Sequence, residues 1–373
     1  MSDLGFLEKL LDGAAVEWLP LEKVAKIKHG KDWKKLDEGD VPVYGSGGIM
    51  GYVDTFSHDR PTVLIPRKGS ITNIFYVEEP FWNVDTIYYT DIDTGQVVPK
   101  YLYHFIKTID LMALDTGSGR PSLTQAILNR LEIPVPCPED PEKSLAIQAE
   151  IVRILDSFTE LTAELTAELK ARKQQYNHYR DQLLSFEDDD VEWKILGDIT
   201  EIKTGQKPSE ILDRTTEFDY INAGTTRSGY AAASNCDGDT VTTPSRGQGG
   251  IGFVGYQRDP FWLGPLCYKL QALDKSFLIN KYLYYFFQSK AALLLSLKKE
   301  GGVPAVNKSD LSKLEIPVPS FEEQTRIVAI LDKFDTLTTS LSEGLPREIK
   351  LRQQQYEYYR DLLLSFPKPE EVA

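Results

Sequence analysis

The stretch Arg172–Phe186, RKQQYNHYRDQLLSF, returns near the end of the chain as Arg352–Phe366, RQQQYEYYRDLLLSF. Spacings of three and four separate the apolar residues through residues 147–186, which is typical of a helix with one apolar stripe. Such a helix would be about 60 Å long, too long for one small domain to bury. We therefore expect the two copies to pack together as an antiparallel coiled coil. The alternative is two separate surface helices.

Shorter matches extend this repeat over nearly the whole chain. Val16-Glu17-Trp18 recurs at residues 191–193, and LEIPVP at residues 131–136 returns unchanged at residues 314–319. Between these shared ends the two copies diverge almost completely. A shared frame around different inserts suggests one architecture that presents two different reading surfaces, whereas duplicated enzymes usually share active-site residues.

The repeat predicts an α+β fold in which two mixed α/β domains are separated by two long helices, paired as an antiparallel coiled coil, with an internal pseudo-twofold repeat. Leu7–Trp18 loosely matches Asp181–Trp193, so the N-terminus completes a circular repeat. The expected segments are an N-terminal segment (1–16), a first variable domain (17–146), a central long helix (147–186), a second variable domain (187–322), and a distal long helix with a tail (323–373).

Two sequence features affect the predicted length and continuity of the long helices. Residues 162–169 are a tandem TAEL unit, where helix length could change in steps of four residues. Glu343–Arg347, EGLPR, carries Gly and Pro and predicts a kink or break in the distal helix.

Within the variable domains, Gly and Pro residues separate short strands, expected at Thr62–Pro66, Ile74–Val77, Thr86–Thr90 and Gly252–Tyr256. A short amphipathic helix follows the strands in each domain, at Lys100–Ile109 and Asn280–Gln288. We expect the aromatic residues of these helices, in YLYHF and YLYYF, to be helix core.

Composition limits the possible classes of protein. The net charge of −14 argues against indiscriminate nucleic-acid binding, although residues 192–320 hold 15 bases and 14 acids. A mildly acidic protein can bind DNA where its basic residues converge on one face, so the net charge neither supports nor excludes DNA binding. It predicts that a partner supplies part of the DNA contacts.

The apolar runs are too short for a membrane span, and no signal peptide is recognised. Cys137, Cys236 and Cys267 show no metal-ligand spacing and fit a reducing, cytoplasmic setting.

Catalytic motifs are not evident. The sequence contains no GxxxxGK[ST] phosphate loop, no GxGxxG in the right setting, and no histidines paired at ligand spacing. Glu201-Ile202-Lys203 resembles the ExK motif of nucleases, but the nearest preceding acid, Asp198, is only three residues away. We expect a polar strand edge there, with no catalytic, cofactor or metal site in this chain.

Gly-rich loops with basic and amide side chains occur at similar places in both variable domains. Glycine lets backbone N–H groups approach phosphates, while Arg can fork onto guanine, and Asn or Gln onto adenine. A plain turn is the alternative for any single loop. The candidate DNA-binding residues are Tyr44, Ser46, Arg67, Lys68, Ser118, Arg120 and Gln125 in the first domain, and Asn222, Thr225, Arg227, Tyr230, Ser245, Arg246, Gln248, Asn307 and Lys308 in the second.

These features together resemble the specificity subunit of type I restriction–modification enzymes. The resemblance rests on Ile147-Gln148 and Glu323-Gln324 with the IVxILD motifs that follow them, on the YxxYRDxLLSF motifs, and on the LEIPVP motifs that close each domain. The tandem TAEL unit resembles the subgroup with such repeats.

The resemblance implies that each variable domain is a target-recognition domain for one half of a bipartite double-stranded DNA target. The helices would act as a ruler and as the docking surface for two modification (methyltransferase) subunits, to which two restriction (translocase/nuclease) subunits can be added. S-adenosylmethionine, ATP and Mg²⁺ would then belong to those partners. The alternatives are a coiled-coil adaptor without DNA contact and a stand-alone nuclease or methyltransferase.

Overall fold

The computed structural model describes residues 4–117, 119–187, 191–213, 218–247, 249–299, 302–340 and 342–368. The chain forms two compact units: unit 1 is Met1–Leu165 with Ile349–Ala373, and unit 2 is Thr166–Glu348. Each unit thus contains one variable domain together with parts of both repeated helical segments. This division differs from the five consecutive segments expected from the sequence, because the helices are shared between the units.

In the first half of the chain the helices and strands are α1 (Leu4–Leu11), β1 (Val16–Pro20), α2 (Leu21–Val24), β2 (Ala25–His29), β3 (Val41–Gly45), β4 (Gly48–Val53), β5 (Thr62–Pro66), β6 (Phe75–Val77), β7 (Trp82–Asn83), β8 (Ile87–Ile92), α3 (Pro99–Ile106), α4 (Gln125–Leu128), β9 (Glu132–Pro136) and α5 (Pro141–Leu183). The second half contains β10 (Glu192–Ile195), α6 (Leu196–Ile199), β11 (Thr200–Thr204), β12 (Phe218–Ile221), β13 (Tyr230–Ala231), β14 (Thr240–Pro244), β15 (Gly255–Gln257), β16 (Trp262–Leu263), β17 (Cys267–Ala272), α7 (Asn280–Ser289), α8 (Ala291–Ser296), α9 (Lys308–Leu311), β18 (Glu315–Val318), α10 (Phe321–Thr339) and α11 (Gly344–Leu363).

The two units have the same sheet topology. Unit 1 has a four-stranded sheet of order β2-β8-β5-β6, a three-stranded sheet of order β4-β3-β7 and a β1-β9 ribbon. Unit 2 repeats these as β11-β17-β14-β15, β13-β12-β16 and β10-β18. Each four-stranded sheet is antiparallel, and each three-stranded sheet has one antiparallel and one parallel pairing. The predicted pair of mixed α/β domains is therefore confirmed.

Two short sequence matches align the inserts despite their divergence. Strand β5, TVLIP, is the counterpart of β14, TVTTP, and all five residues of each are buried. Pro80-Phe81-Trp82 is likewise the counterpart of Pro260-Phe261-Trp262, just before the equivalent strands β8 and β17. The shared scaffold thus requires only a few common residues within each insert.

The strand expected at Gly252–Tyr256 begins only at Gly255. Gly252 has a φ angle of +92°, which turns the chain at a position where the predicted strand would have to be extended. The strand expected at Thr62–Pro66 has the predicted bounds.

Helices α3 and α7 supply the large core residues of their units, as expected for the YLYHF and YLYYF motifs. Tyr101 and Tyr282 are fully buried, and each hydroxyl donates to a carbonyl of the repeated LEIPVP segment, at Pro134 (2.8 Å) and Pro317 (2.9 Å) respectively. Because a buried hydroxyl without a partner is costly, these bonds fix each LEIPVP strand against its helix.

The repeated glutamines have an equivalent structural role in both units. The Gln148 side chain accepts from the Val98 N–H (2.9 Å) and donates to the Gln96 carbonyl (3.0 Å). Gln324 makes the matching bonds to the Ile279 N–H (2.9 Å) and the Phe277 carbonyl (3.0 Å). Both glutamines are fully buried, so they tie the long helices to the segment that precedes α3 or α7.

The repeated helices pair within both units, which confirms the antiparallel pairing and rules out two separate surface helices. In unit 1 the Phe158 ring of α5 stacks on Tyr359 of α11, with centroids 5.1 Å apart. In unit 2 the Tyr179 ring of α5 stacks on Phe334 of α10 at 5.8 Å. Helix α5 runs from unit 1 into unit 2, whereas α10 and α11 lead from unit 2 back to unit 1.

The distal helical segment consists of two helices instead of the single long helix expected for residues 323–373. Helix α10 ends at Thr339 and α11 begins at Gly344, where Gly and Pro predict a kink or break. Gly344 has a φ of +77°, and a Cβ there would lie 2.5 Å from the Thr336 carbonyl oxygen. Only glycine fits this close approach without strain.

The N-terminal segment belongs to the core of unit 1. Leu7 and Leu11 of α1 are buried in the same cluster as Leu363 and Phe366. Ribbon β1-β9 places Trp18 opposite Pro134, just as β10-β18 places Trp193 opposite Pro317. In the described ranges, no helix has the length and apolarity that would suit a bilayer crossing.

Candidate nucleic-acid interface

Three loops meet at one end of the four-stranded sheet of unit 1. The Gly69 N–H donates to the Pro121 carbonyl (2.9 Å), and the Leu123 N–H donates to the Arg67 carbonyl (2.9 Å). The Asn73 side chain donates to the Ser46 carbonyl (3.3 Å), which adds the β3–β4 turn to the group. We call residues 45–47, 67–73 and 119–125 the unit 1 loop cluster.

Equivalent loops meet in unit 2. The Gly247 N–H donates to the Pro304 carbonyl (3.0 Å), and the Val306 N–H donates to the Ser245 carbonyl (2.9 Å). A Cβ on Gly250 would lie 2.9 Å from the Gly224 nitrogen, so these two loops also touch. We call residues 222–227, 245–247, 249–250 and 302–308 the unit 2 loop cluster.

Exposed cations stand in both loop clusters. In unit 1 the side chains of Lys68 and Arg120 are exposed, and in unit 2 those of Arg246 and Lys308 are exposed. Among the described residues, no ion-pair partner is found for any of these four side chains. Free cations beside closely packed backbone turns are suited to phosphate contacts and to reading base edges.

Other candidate residues have structural bonds inside the clusters. In unit 1, Arg67 donates to the Asp85 carbonyl (3.3 Å), and the Gln125 amide oxygen lies 3.1 Å from His29 Nε2. In unit 2, the Asn222 side chain accepts from the Leu266 N–H (3.0 Å). Ser245 is buried. These residues hold the clusters in shape, whereas Ser46, Thr225 and Asn307 lie at or near the cluster surface.

Tyr44, Arg227 and Tyr230 have side-chain contacts that restrict what they can bind. The Tyr44 ring packs against Phe75 and Phe81 between the two sheets of unit 1, where burial raises its pKa. The Arg227 guanidinium lies over the Tyr230 ring at 4.5 Å and donates to Asp219 at 3.3 Å. Candidates Ser118 and Gln248 lie outside the described residues.

The turn around Asp115 shapes the third loop of unit 1. Its carboxylate accepts from the N–H groups of Ser122 and Gly117, both at 2.7 Å, and these bonds lower the pKa of Asp115. The turn is therefore held by an ionised carboxylate at neutral pH.

His29, which is not among the residues predicted from the sequence, is exposed at the end of β2 beside Gln125. The sequence feature that could have indicated His29 is the turn after β2, where His29-Gly30 in the first copy aligns with Thr204-Gly205 in the second. A strand end that precedes a glycine turn on both copies marks a position beside the loops.

Glu201 lies in edge strand β11 and forms ion pairs with Lys203 and Lys269. Hydrogen bonds from these lysines lower its pKa to about 2. The polar strand edge predicted for the ExK-like stretch is thus confirmed. Across the described ranges, no three His, Cys, Asp or Glu side chains are grouped to hold a metal ion.

Comparisons with known proteins give a consistent result. Residues 16–172 and 188–351 match the type I restriction modification DNA specificity domain. The specificity subunit of the Escherichia coli type I restriction enzyme EcoR124I/EcoR124II is 38% identical over 411 aligned residues, covering 100% of both chains. A putative type I specificity subunit of Haemophilus influenzae is 32% identical, covering 97% of this chain and 98% of its own.

Solved structures agree in fold. The crystal structure of a type I restriction-modification S subunit from M. genitalium has a TM-score of 0.64 at 20% identity, covering 96% of this chain and 98% of that one. A chain from a structure of type I restriction-modification complex assembly has a TM-score of 0.59 at 17% identity, with coverages of 94% and 97%.

Proposed function

This chain belongs to the family of type I restriction–modification specificity subunits and recognises a DNA sequence within such a complex; from that premise we propose that each loop cluster reads one half of a bipartite target. One observation carries the proposal: the two units share a scaffold and its buried hydrogen bonds, yet present different residues in equivalent loops. A common frame with unlike reading surfaces suits two different half-sites.

In this proposal the exposed cations of each cluster have two different roles. Lys68 and Lys308 contact phosphates, which set register on the duplex, while Arg120 and Arg246 reach base edges. The overall charge of −14 limits how much this chain grips DNA alone, so partner subunits complete the interface.

Two modification subunits dock on the repeated helices in this proposal. The stacked pairs Phe158–Tyr359 and Tyr179–Phe334 stand at equivalent positions of the repeat, and Tyr359 and Tyr179 remain 39% and 40% exposed. Beside Tyr179 a groove of about 500 Å³ is lined by Arg172, Arg326 and other side chains of α5 and α10. Two equivalent aromatic surfaces suit two copies of one partner.

The chemistry of modification then belongs to the partners. S-adenosylmethionine would be bound by the modification subunits, which flip the target base out of the duplex, and ATP and Mg²⁺ by two restriction subunits. This chain supplies sequence recognition and assembly without catalysis. The free thiols of the buried Cys236 and Cys267 favour a reducing, cytoplasmic location. Membership of the tandem-TAEL subgroup stays a prediction.

Methylation mapping tests the proposal. The chain is purified with its modification subunits, and methylated positions are mapped in genomic DNA treated with the complex and S-adenosylmethionine. We expect one bipartite motif with a fixed spacer, and DNA affinity that falls steeply with salt. An adaptor without DNA contact predicts methylation independent of which specificity chain is present, and a stand-alone enzyme predicts activity of the purified chain alone.

A further inference from the structure

Apolar side chains fill the space between the two sheets of unit 1. Leu64, Val77, Phe81 and Ile87 are buried there, and Tyr44, Phe75 and Tyr89 pack against them. We call these seven residues the inter-sheet cluster. The Tyr44 and Phe75 ring centroids are 5.8 Å apart.

Strand register gives the unit 2 counterparts of this cluster. Strand β5 places Leu64 opposite Phe75, and β14 places Thr242 opposite Gly255. The same pairings place Val77 opposite Thr62, and Gln257 opposite Thr240. Phe75 is therefore replaced by Gly255, Leu64 by Thr242 and Val77 by Gln257.

Two further positions, Tyr44 and Ile87, also have smaller counterparts, whereas Phe81 is kept as Phe261. Tyr44 lies opposite Asn83 in the parallel pair of unit 1, and Ile221 lies opposite Leu263 in that of unit 2. Ile221 is thus the smaller counterpart of Tyr44. In the same way Cys267, opposite Pro244, replaces Ile87, opposite Pro66.

These five counterparts, each smaller or more polar than the unit 1 residue, line an open groove of about 550 Å³ in unit 2. A Cβ on Gly255 would lie 2.8 Å from Thr242 Oγ1, 3.2 Å from Gln257 Nε2 and 3.4 Å from the Phe253 ring, so a side chain at this position would displace residues that line the groove. The groove opens where unit 1 carries its inter-sheet cluster because Gly255 and Thr242 leave that volume unfilled.

The lining of the groove has the elements that recognise a nucleobase. Phe253 is 38% exposed and offers a flat aromatic face. Arg227 and Asp219, 3.3 Å apart and both partly exposed, offer a donor fork beside an acceptor. Aromatic faces stack on bases, and paired donors and acceptors read their edges. The groove is continuous with the unit 2 loop cluster, because Gly224 and Thr225 also line it.

We propose that this groove binds one unstacked nucleobase of the half-site read by unit 2, stacked on Phe253 and hydrogen-bonded by Arg227 and Asp219. The carboxylate of Asp219 disfavours a phosphate group as the occupant, since like charges repel. The proposal rests on the proposed function. It implies that only unit 2 binds an unstacked base, since Tyr44 and Phe75 fill the equivalent space in unit 1.

Replacing the aromatic face tests the proposal. In the complex with modification subunits, Phe253→Ala is expected to slow methylation of the cognate site about 10-fold or more, the range expected for loss of one base–aromatic stack. Phe277→Ala is the matched control, because Phe277 is also 38% exposed in unit 2 and lies outside the groove lining. Equal rates for the two variants would overturn the proposal.

Filling the groove gives a second, independent measurement. In Gly255→Phe the groove takes the side chain that unit 1 carries, and preference at one position of one half-site is expected to disappear while the other half-site is unchanged. With 2-aminopurine placed in turn at non-methylated positions of the affected half-site, binding of the unsubstituted complex should raise fluorescence at one position, and Gly255→Phe should abolish the rise.

The outcomes separate the two ideas. If the unsubstituted complex methylates no defined motif, the proposed function fails. If it methylates one, but neither variant changes recognition and 2-aminopurine fluorescence stays constant at every position, the loop clusters still read DNA and the groove does not bind a base.

Discussion

His104 and Tyr285 occupy the same position of the repeat, and both contact the repeated aspartate of the long helices. His104 Nε2 lies 3.2 Å from Asp156 and its Nδ1 lies 3.0 Å from the Tyr356 hydroxyl, while Tyr285 donates to Asp332 at 2.5 Å. Lys100 and Lys281 pair with the same two aspartates, each at 2.8 Å. Burial of the His104 ring lowers its pKa to about 4, against the opposing effect of Asp156.

This lowered pKa predicts a loss of stability in acid. The unfolded chain binds a proton at His104 below its ordinary pKa of 6.5, whereas the folded chain does so only near pH 4, so stability falls between these values. From pH 7 to pH 5 the free energy of unfolding should fall by about 2 kcal/mol from this residue. His104→Tyr introduces the residue found at the equivalent position, Tyr285. In urea unfolding at the two pH values, the free energy of unfolding of this variant should therefore fall by about 2 kcal/mol less than that of the unsubstituted protein. Parallel losses in both proteins would contradict the assignment.

Arg246 offers a second test at the residue scale. Its exposed side chain stands in the unit 2 loop cluster, and a forked contact to guanine discriminates by about 1–3 kcal/mol. Arg246→Ala should therefore weaken DNA binding about 10-fold and relax one position of one half-site. Arg258→Ala removes the same charge from an exposed site outside the cluster and should leave specificity intact. Unchanged motifs in methylation mapping of Arg246→Ala would exclude the base contact.

The sequence predicted the long helices better than it predicted the pairing of the strands. Helix α5 was expected at residues 147–186 and is found at Pro141–Leu183, because its apolar stripe and repeated motif are strong local signals. The break at Gly344 followed from the conformational demands of Gly and Pro. The repeat predicted one architecture for both inserts, but not which strands correspond, since strand pairing depends on distant residues and only TVxxP and PFW are shared.

The tandem TAEL unit yields a prediction at the scale of elements. Residues 162–169 lie inside α5, so deleting Thr166–Leu169 shortens the helix by about 6 Å and rotates its ends by roughly 40°. The spacer between half-sites should change while both half-site sequences are kept. Methylation mapping of the deletion complex measures this, with Thr166→Ala as a control of unchanged length. An unaltered spacer would mean that the helix is not a ruler.

For the molecule as a whole, the repeat predicted the architecture, but the candidate site only in part. Lys68, Arg120, Arg246 and Lys308 are exposed in the loop clusters, whereas Tyr44 packs between sheets. A side chain next to glycine turns can point outward or inward, and only tertiary packing decides which. The groove of unit 2 could not be predicted from the sequence either. It exists because Gly255 and Thr242 have smaller side chains than their unit 1 counterparts, Phe75 and Leu64, and this equivalence is known only from the strand register.

A domain exchange measures the central claim most directly: that one scaffold carries two independent reading surfaces. Residues 17–140 are replaced by the equivalent residues of a relative with a different target, and methylated positions are mapped with the same modification subunits. We predict that one half-site takes the relative's sequence while the other half-site and the spacer stay the same. A change in both half-sites, or in neither, would contradict the account.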